Sequence, residues 1–162
     1  MIDKEFFCRE IRLCEKSMYT VAFSVVQNET DAAEVLSEAI YRAYKNLRLL
    51  KKEESFKPWI LKIVHNTAVA YVRKNARFLL TEEIEIEEEQ DALSPEAKMS
   101  LREAVTTLKQ PYQTVVILYY YEELSIKEIS KITGATEMTV KKRLSRAREY
   151  LRRMLKEDFP NE

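Results

Sequence analysis

Gly134 is the only glycine in the chain, and it stands between two stretches of helical spacing. Upstream, Ser125 followed by Glu128 has the pattern of a capping box ahead of an apolar run. Ile126, Ile129 and Ile132 then recur on one helical face. Glycine at position 134 supplies the left-handed backbone on which helices commonly end. Downstream, Thr136 can cap a second helix whose buried face is Val140, Leu144, Ala147, Leu151 and Leu155. Two helices across so tight a turn predict a helix-turn-helix over residues 124–155, a geometry whose second helix enters the DNA major groove.

Charge points the same way. Between Glu137 and Arg153 the basic residues are Lys141, Lys142, Arg143, Arg146, Arg148, Arg152 and Arg153, opposed only by Glu137 and Glu149. A charge run alone would be read as a solvated face. Joined to the turn and the isoleucine stripe, it predicts DNA binding.

The net charge of zero conceals this. Residues 1–80 hold 14 basic and 10 acidic side chains, residues 81–98 one lysine and eight acids, and residues 99–162 12 basic and nine acidic side chains. Two mildly basic blocks thus flank an acidic strap. With 46% hydrophobic and 33% charged residues and four prolines, the composition is that of an all-α protein rather than a turn-rich β fold. No apolar run approaches membrane-spanning length, and the charged N-terminus lacks a signal-peptide core, so neither membrane insertion nor export is expected. A cytoplasmic protein is expected. Cys8 and Cys14 are too few for a disulfide framework or a metal site, and buried thiols are expected of both.

The first block reads as three helices. Phe6, Phe7, Ile11, Leu13, Met18, Val21, Ala22 and Val25 recur at helical spacing, and the break falls at Gln27–Glu29. A second helix, capped by Thr30 or Asp31, would bury Ala33, Val35, Leu36, Ala39, Ile40, Ala43, Tyr44 and Leu47. The third, with Pro58 in its first turn, would bury Trp59, Ile60, Ile63, Val64, Val69 and Val72 and expose Lys57, Lys62, Asn66, Arg73, Lys74 and Arg77. The strap reads as a linker with a short extended piece at 84–86. A helix then opens at Ser94-Pro95, passes Ala97, Leu101, Ala104, Val105 and Leu108, and ends at Gln110-Pro111. Tyr112 to Tyr121 follow, with Val115, Val116, Leu118 and Tyr119 packing inward. The expected architecture is therefore two small helical domains, 1–80 and 95–162, the second a four-helix unit, joined by an acidic linker at 81–94.

Nothing in the chain points to catalysis. It has no glycine-rich phosphate loop and no serine–histidine–acid set, His65 has no neighbour spaced as a metal co-ligand, and no cofactor is called for. Tyr119, Tyr120 and Tyr121 could stack bases, but packing beside the helix-turn-helix is the simpler role.

In order along the chain, several stretches resemble the extracytoplasmic-function group of the sigma-70 family, the bacterial RNA polymerase sigma factors. Asp31 to Ile40 is similar to that family's acid-Ala-Glu-Asp-Leu-x-Gln-Glu pattern. Phe56-Lys57-Pro58-Trp59-Ile60 through Asn66 resembles its Phe-x-x-Trp-Leu-x-x-Ile-Ala-Arg-Asn helix. Thr139-Val140-Lys141-Lys142-Arg143-Leu144-Ser145-Arg146-Ala147-Arg148 looks like its Thr-Val-Lys-x-Arg-Leu-x-Arg-Ala-Arg signature. The likeness runs from about residue 3 to 156. It departs at Ser37, His65 and Ala70, where members carry Gln, Arg and an acid, and at Arg73-Lys74 in place of paired arginines.

The resemblance implies three surfaces. Asp31, Glu34, Val35, Ser37, Glu38 and Ile40 would bind the clamp of core RNA polymerase. Lys57, Trp59, Lys62, Asn66, Arg73 and Lys74 would handle the promoter's minus-ten element, with a flipped base held near the Leu49–Ser55 loop. Thr136, Glu137, Thr139, Lys141, Lys142, Arg143, Arg146 and Arg148 would bind the minus-thirty-five element, the first residues at base edges and the later arginines at phosphates. Core polymerase and promoter DNA are the expected partners. An anti-sigma factor is a further one, because the family is commonly restrained by such proteins. The acidic strap would thread the polymerase's basic RNA path. A helix-turn-helix regulator with an N-terminal sensing or dimerisation domain is the alternative, but it needs neither the Asp31–Ile40 nor the Phe56–Arg77 pattern.

Overall fold

The computed structural model describes residues 2–78 and 100–155. Among these residues there are seven α-helices and no strand. The expected extended piece at 84–86 and the helix opening at Ser94-Pro95 lie outside the described residues, as does the linker.

Helix α1 (Lys4–Val26) is capped by Asp3, whose Oδ1 accepts from the Phe6 amide at 2.9 Å. It ends at Gln27, a left-handed residue with φ 65°. The chain reverses there so abruptly that α2 (Glu29–Lys45) begins at once. Asn28 is its cap, its Oδ1 accepting from the Asp31 amide at 2.8 Å, in place of the expected Thr30 or Asp31. Two 3-10 turns, Leu47–Leu49 and Glu53–Ser55, lead into α3 (Phe56–Phe78).

Helices α1 and α3 meet at the Phe56 ring, which lies edge-on to Phe6 at 5.8 Å and to Phe7 at 6.2 Å, and Tyr44 of α2 packs on Phe7 at 5.6 Å. Several expected core positions are corrected. Leu13 is 71% exposed while Cys14 is buried, Ala32 is buried rather than Ala33, and Tyr44 and Val72 face outward. Cys8, expected to be buried, is exposed. On α3, Leu61 and Ala68 are fully buried alongside Ile60 and Val64. The reason is that α3 packs against α1, α2 and α6, so its buried arc is wider than one stripe.

In the second unit, Ser100 and Glu103 form a capping box at the start of α4 (Leu101–Thr107). Helix α5 (Tyr112–Val116) widens into a π-helical turn over Ile117–Tyr121 that buries Ile117 and Leu118. Helix α6 (Ile126–Thr133) carries the expected Ser125–Glu128 box and ends at Gly134 with φ 79°. Helix α7 (Glu137–Met154) starts at Thr136 and buries Val140, Leu144, Ala147 and Leu151, with Leu155 beyond its end.

A polar seam joins the two units. The Ser24 and Thr114 hydroxyls lie 3.1 Å apart, Gln27 Nε2 donates to Gln113 Oε1 at 2.8 Å, and Gln110 donates to the Ser24 carbonyl. Beside these bonds, the packing of α3 on α6 forms the apolar part of the same contact.

Candidate nucleic-acid and polymerase interfaces

Helix α7 presents its outer face to solvent because its inner face is consumed by the Val140–Leu151 ladder. Its first turn is fixed by the cap: Thr136 Oγ1 accepts from the Thr139 amide at 3.1 Å and donates to the Thr139 hydroxyl at 2.8 Å. The Thr136 hydroxyl, expected to meet DNA, is thereby used within the turn, while the Thr139 hydroxyl accepts its proton. Glu137, Lys141, Lys142 and Arg146 are exposed, and Arg143 is half-buried at the flank. Arg148 is held elsewhere, its Nε 2.5 Å from the Tyr120 hydroxyl and its guanidinium 5.7 Å from the Tyr120 ring centre. The Tyr119 ring lies 6.0 Å from the same guanidinium. Of the eight residues expected to form this surface, four stand free on one side of the helix.

On α3, Lys62, Asn66, Arg73 and Lys74 are exposed, while Trp59 is half-buried with its ring 5.7 Å from that of Phe56. Lys57 points across the seam: its Nζ lies 3.1 Å from Glu122 Oε2 and 3.3 Å from the Glu122 carbonyl oxygen. His65 sits against α6, and its Nδ1 is buried without a hydrogen-bond partner. Burial pushes its imidazole below the ordinary value and Arg143 of α7 adds to this, against hydrogen bonding by Asn66 and the Ile132 backbone.

The first turns of α2 hold Asp31, Glu34, Ser37 and Glu38 on its outer side, with Glu38 Oε1 paired to Arg42 Nε at 2.9 Å. Val35 is wholly buried and Ile40 half-buried, so these two support the surface from beneath. Tyr71 of α3 reaches across to the acids: its hydroxyl lies 2.7 Å from Asp31 Oδ1 and 3.1 Å from Glu34 Oε2. Hydrogen bonds from Asn28 and then Tyr71 hold the Asp31 carboxyl below its ordinary value. Tyr71 had no sequence signal beyond helical spacing, and neither did the capture of Arg148 by Tyr120; both are contacts between distant segments.

Comparison with known proteins follows this division. Residues 11–78 match the family model for Sigma-70 region 2, and residues 98–151 that for Sigma-70 region 4. The chain is 34% identical over 147 residues to the RNA polymerase sigma factor SigV of Bacillus subtilis (strain 168), covering 90% of this chain and 89% of that one. It is 26% identical over 171 residues to the ECF RNA polymerase sigma factor SigW of the same organism, covering 96% and 91%. Among solved structures it resembles the sigma factor RpoE of Bartonella quintana, crystallised with the anti-sigma factor NepR. The TM-score is 0.73 at 22% identity, covering 93% of this chain and 96% of that one. CnrH, solved with the cytosolic domain of CnrY, gives 0.66 at 21% identity over 96% and 91%. At these identities the two structures speak for the fold.

Proposed function

This chain belongs to the sigma-70 family, in its extracytoplasmic-function group, and we propose that it divides the work of an initiation factor among three surfaces. Residues 1–80 form the polymerase-binding and minus-ten unit, residues 81–94 the connecting acidic linker, and residues 95–162 the minus-thirty-five unit. The protein joins core RNA polymerase through Asp31, Glu34, Ser37 and Glu38 of α2. It handles the minus-ten element through Lys57, Trp59, Lys62, Asn66, Arg73 and Lys74. Helix α7 enters the major groove of the minus-thirty-five element, with Glu137, Lys141 and Lys142 at base edges and Arg146 at phosphates. It performs this in the cytoplasm, as a binding factor rather than an enzyme.

The observation that carries this reading is the order of matches on one chain: a region 2 followed by a region 4, with a relative at 34% identity spanning both. A regulator with a sensing domain would share the second and not the first. Restraint by an anti-sigma factor belongs to the reading as well. The cleft between α1 and α4 is lined by charged side chains, Lys16 and Arg102, and by apolar ones, Tyr19, Phe23, Val105 and Tyr121, the mixture an amphipathic segment of such a partner would complement.

Binding to purified core polymerase separates the surfaces. Glu34→Lys with Glu38→Lys is expected to weaken association with core by at least tenfold, the order of effect of reversing charge at a complementary interface. Lys141→Ala with Lys142→Ala is expected to leave core binding unchanged and to weaken promoter binding by the resulting holoenzyme. Equal loss of core binding from both pairs would overturn the assignment.

A further inference from the structure

Met138 is 68% exposed in the first turn of α7. A lone exposed methionine is ordinary; its position gives this one meaning. At 3.6 residues per turn, Met138, Lys142, Ser145 and Glu149 form the centre line of the face opposite Val140, Leu144, Ala147 and Leu151. The polar groups that flank it in the same turn, the hydroxyls of Thr136 and Thr139, are bonded to each other. The leading turn of the helix therefore offers an apolar tip between the Glu137 carboxylate and the two lysines.

Major-groove base edges offer hydrogen-bond donors and acceptors at every pair, but only one apolar group, the C5 methyl of thymine. Against cytosine or a purine, an apolar side chain covers a polar edge and returns no hydrogen bond. Methionine is unbranched and polarisable, so it adapts to a methyl group without fixing an angle of approach. We propose that Met138 reads a thymine methyl in the minus-thirty-five element and so sets base preference at that position, while Lys141 and Lys142 set affinity and register. The inference rests on the reading of α7 as the helix that enters the major groove.

The test uses the full chain with core polymerase and a promoter fragment that this holoenzyme has itself selected from a library randomised across the minus-thirty-five element. Each thymine is replaced in turn by deoxyuridine, which removes the methyl and nothing else. At one position the replacement is expected to weaken binding roughly three- to fivefold, about the worth of one buried methyl group. Met138→Ala is expected to bind the unmodified fragment as weakly and to ignore that replacement, and Met138→Leu to restore the response. The proposal is overturned by a selected element without thymine, by uracil scanning without effect, or by an effect that persists in Met138→Ala. Lys141→Ala with Lys142→Ala serves as the control on the parent reading. If that pair leaves promoter binding intact, α7 is not the reading helix; if it abolishes binding while methyl removal does nothing, only the role of Met138 fails.

Discussion

Lys57 Nζ lies 3.1 Å from the Glu122 carboxylate, a side chain only 7% exposed, and this pair links the first unit to the second. A lysine proposed to meet promoter DNA is thus occupied by an internal anion. Removing the cation and removing the anion are not equivalent. Lys57→Ala strands a buried carboxylate and is expected to cost about 2 kcal/mol, less than for a fully buried pair because Lys57 remains partly solvated. Glu122→Gln keeps a polar partner for the carbonyl-bound ammonium and is expected to cost about 1 kcal/mol. Urea unfolding of the two variants checks the order. The same Glu122→Gln chain is expected to bind a forked promoter fragment more tightly than the parent.

Acid is expected to loosen the contact between α3 and α6. His65 is half-buried with its Nδ1 shielded from solvent, and its imidazole is held below the ordinary 6.5 chiefly by that burial. The unfolded chain therefore takes up a proton that the folded chain refuses, and stability falls as pH drops below about 6.5. Burial sets the sign against hydrogen bonding from Asn66 and the Ile132 backbone, which favours the charged ring, and Arg143 adds a smaller push in the direction of burial. Urea midpoints measured from pH 7.5 to 5 are expected to decline less steeply for His65→Gln. Parallel curves would remove His65 as the cause.

Gly134→Ala isolates a backbone effect. A Cβ at this position would meet nothing within 4 Å, yet φ is +79°. The expected cost is about 1 kcal/mol from the left-handed backbone alone, and Gly134→Asn should recover part of it. A loss near 3 kcal/mol would mean that the turn carries contacts beyond its conformation.

Tyr71→Phe removes one of the two side-chain donors that depress the Asp31 carboxyl, the lesser after Asn28. Its midpoint, followed by carboxyl-carbon NMR, is expected to move up toward the ordinary value without reaching it. Glu34, 3.1 Å from the same phenol oxygen, then loses its common partner with Asp31, and core polymerase is expected to bind more weakly.

The features that could be read in advance were those written locally. The Ser125–Glu128 box, the left-handed Gly134, the Thr136 cap and the Val140–Leu155 ladder depend on residues at most a few turns apart. Errors of phase came where neighbours decide. Leu13 and Cys14 are adjacent, as are Ala32 and Ala33, and a three-helix core selects between them by where the partner helix lies. The wide buried arc of α3 depends on α6, which is some 60 positions away in sequence. The candidate DNA surface shows the same limit. Spacing placed the lysines of α7 outward correctly, but it could not show that Tyr120 holds Arg148 or that the Thr136 hydroxyl donates to that of Thr139. It also passed over Met138, because an apolar residue on a polar face gives no periodic signal.

The most direct test is run-off transcription with core RNA polymerase from the source organism, on promoter DNA that the holoenzyme selects, with and without this chain. The expected result is initiation only when the chain is present, and its loss on Lys141→Ala with Lys142→Ala. A chain that binds duplex DNA by itself as a dimer, yet never directs core enzyme to initiate, would contradict it.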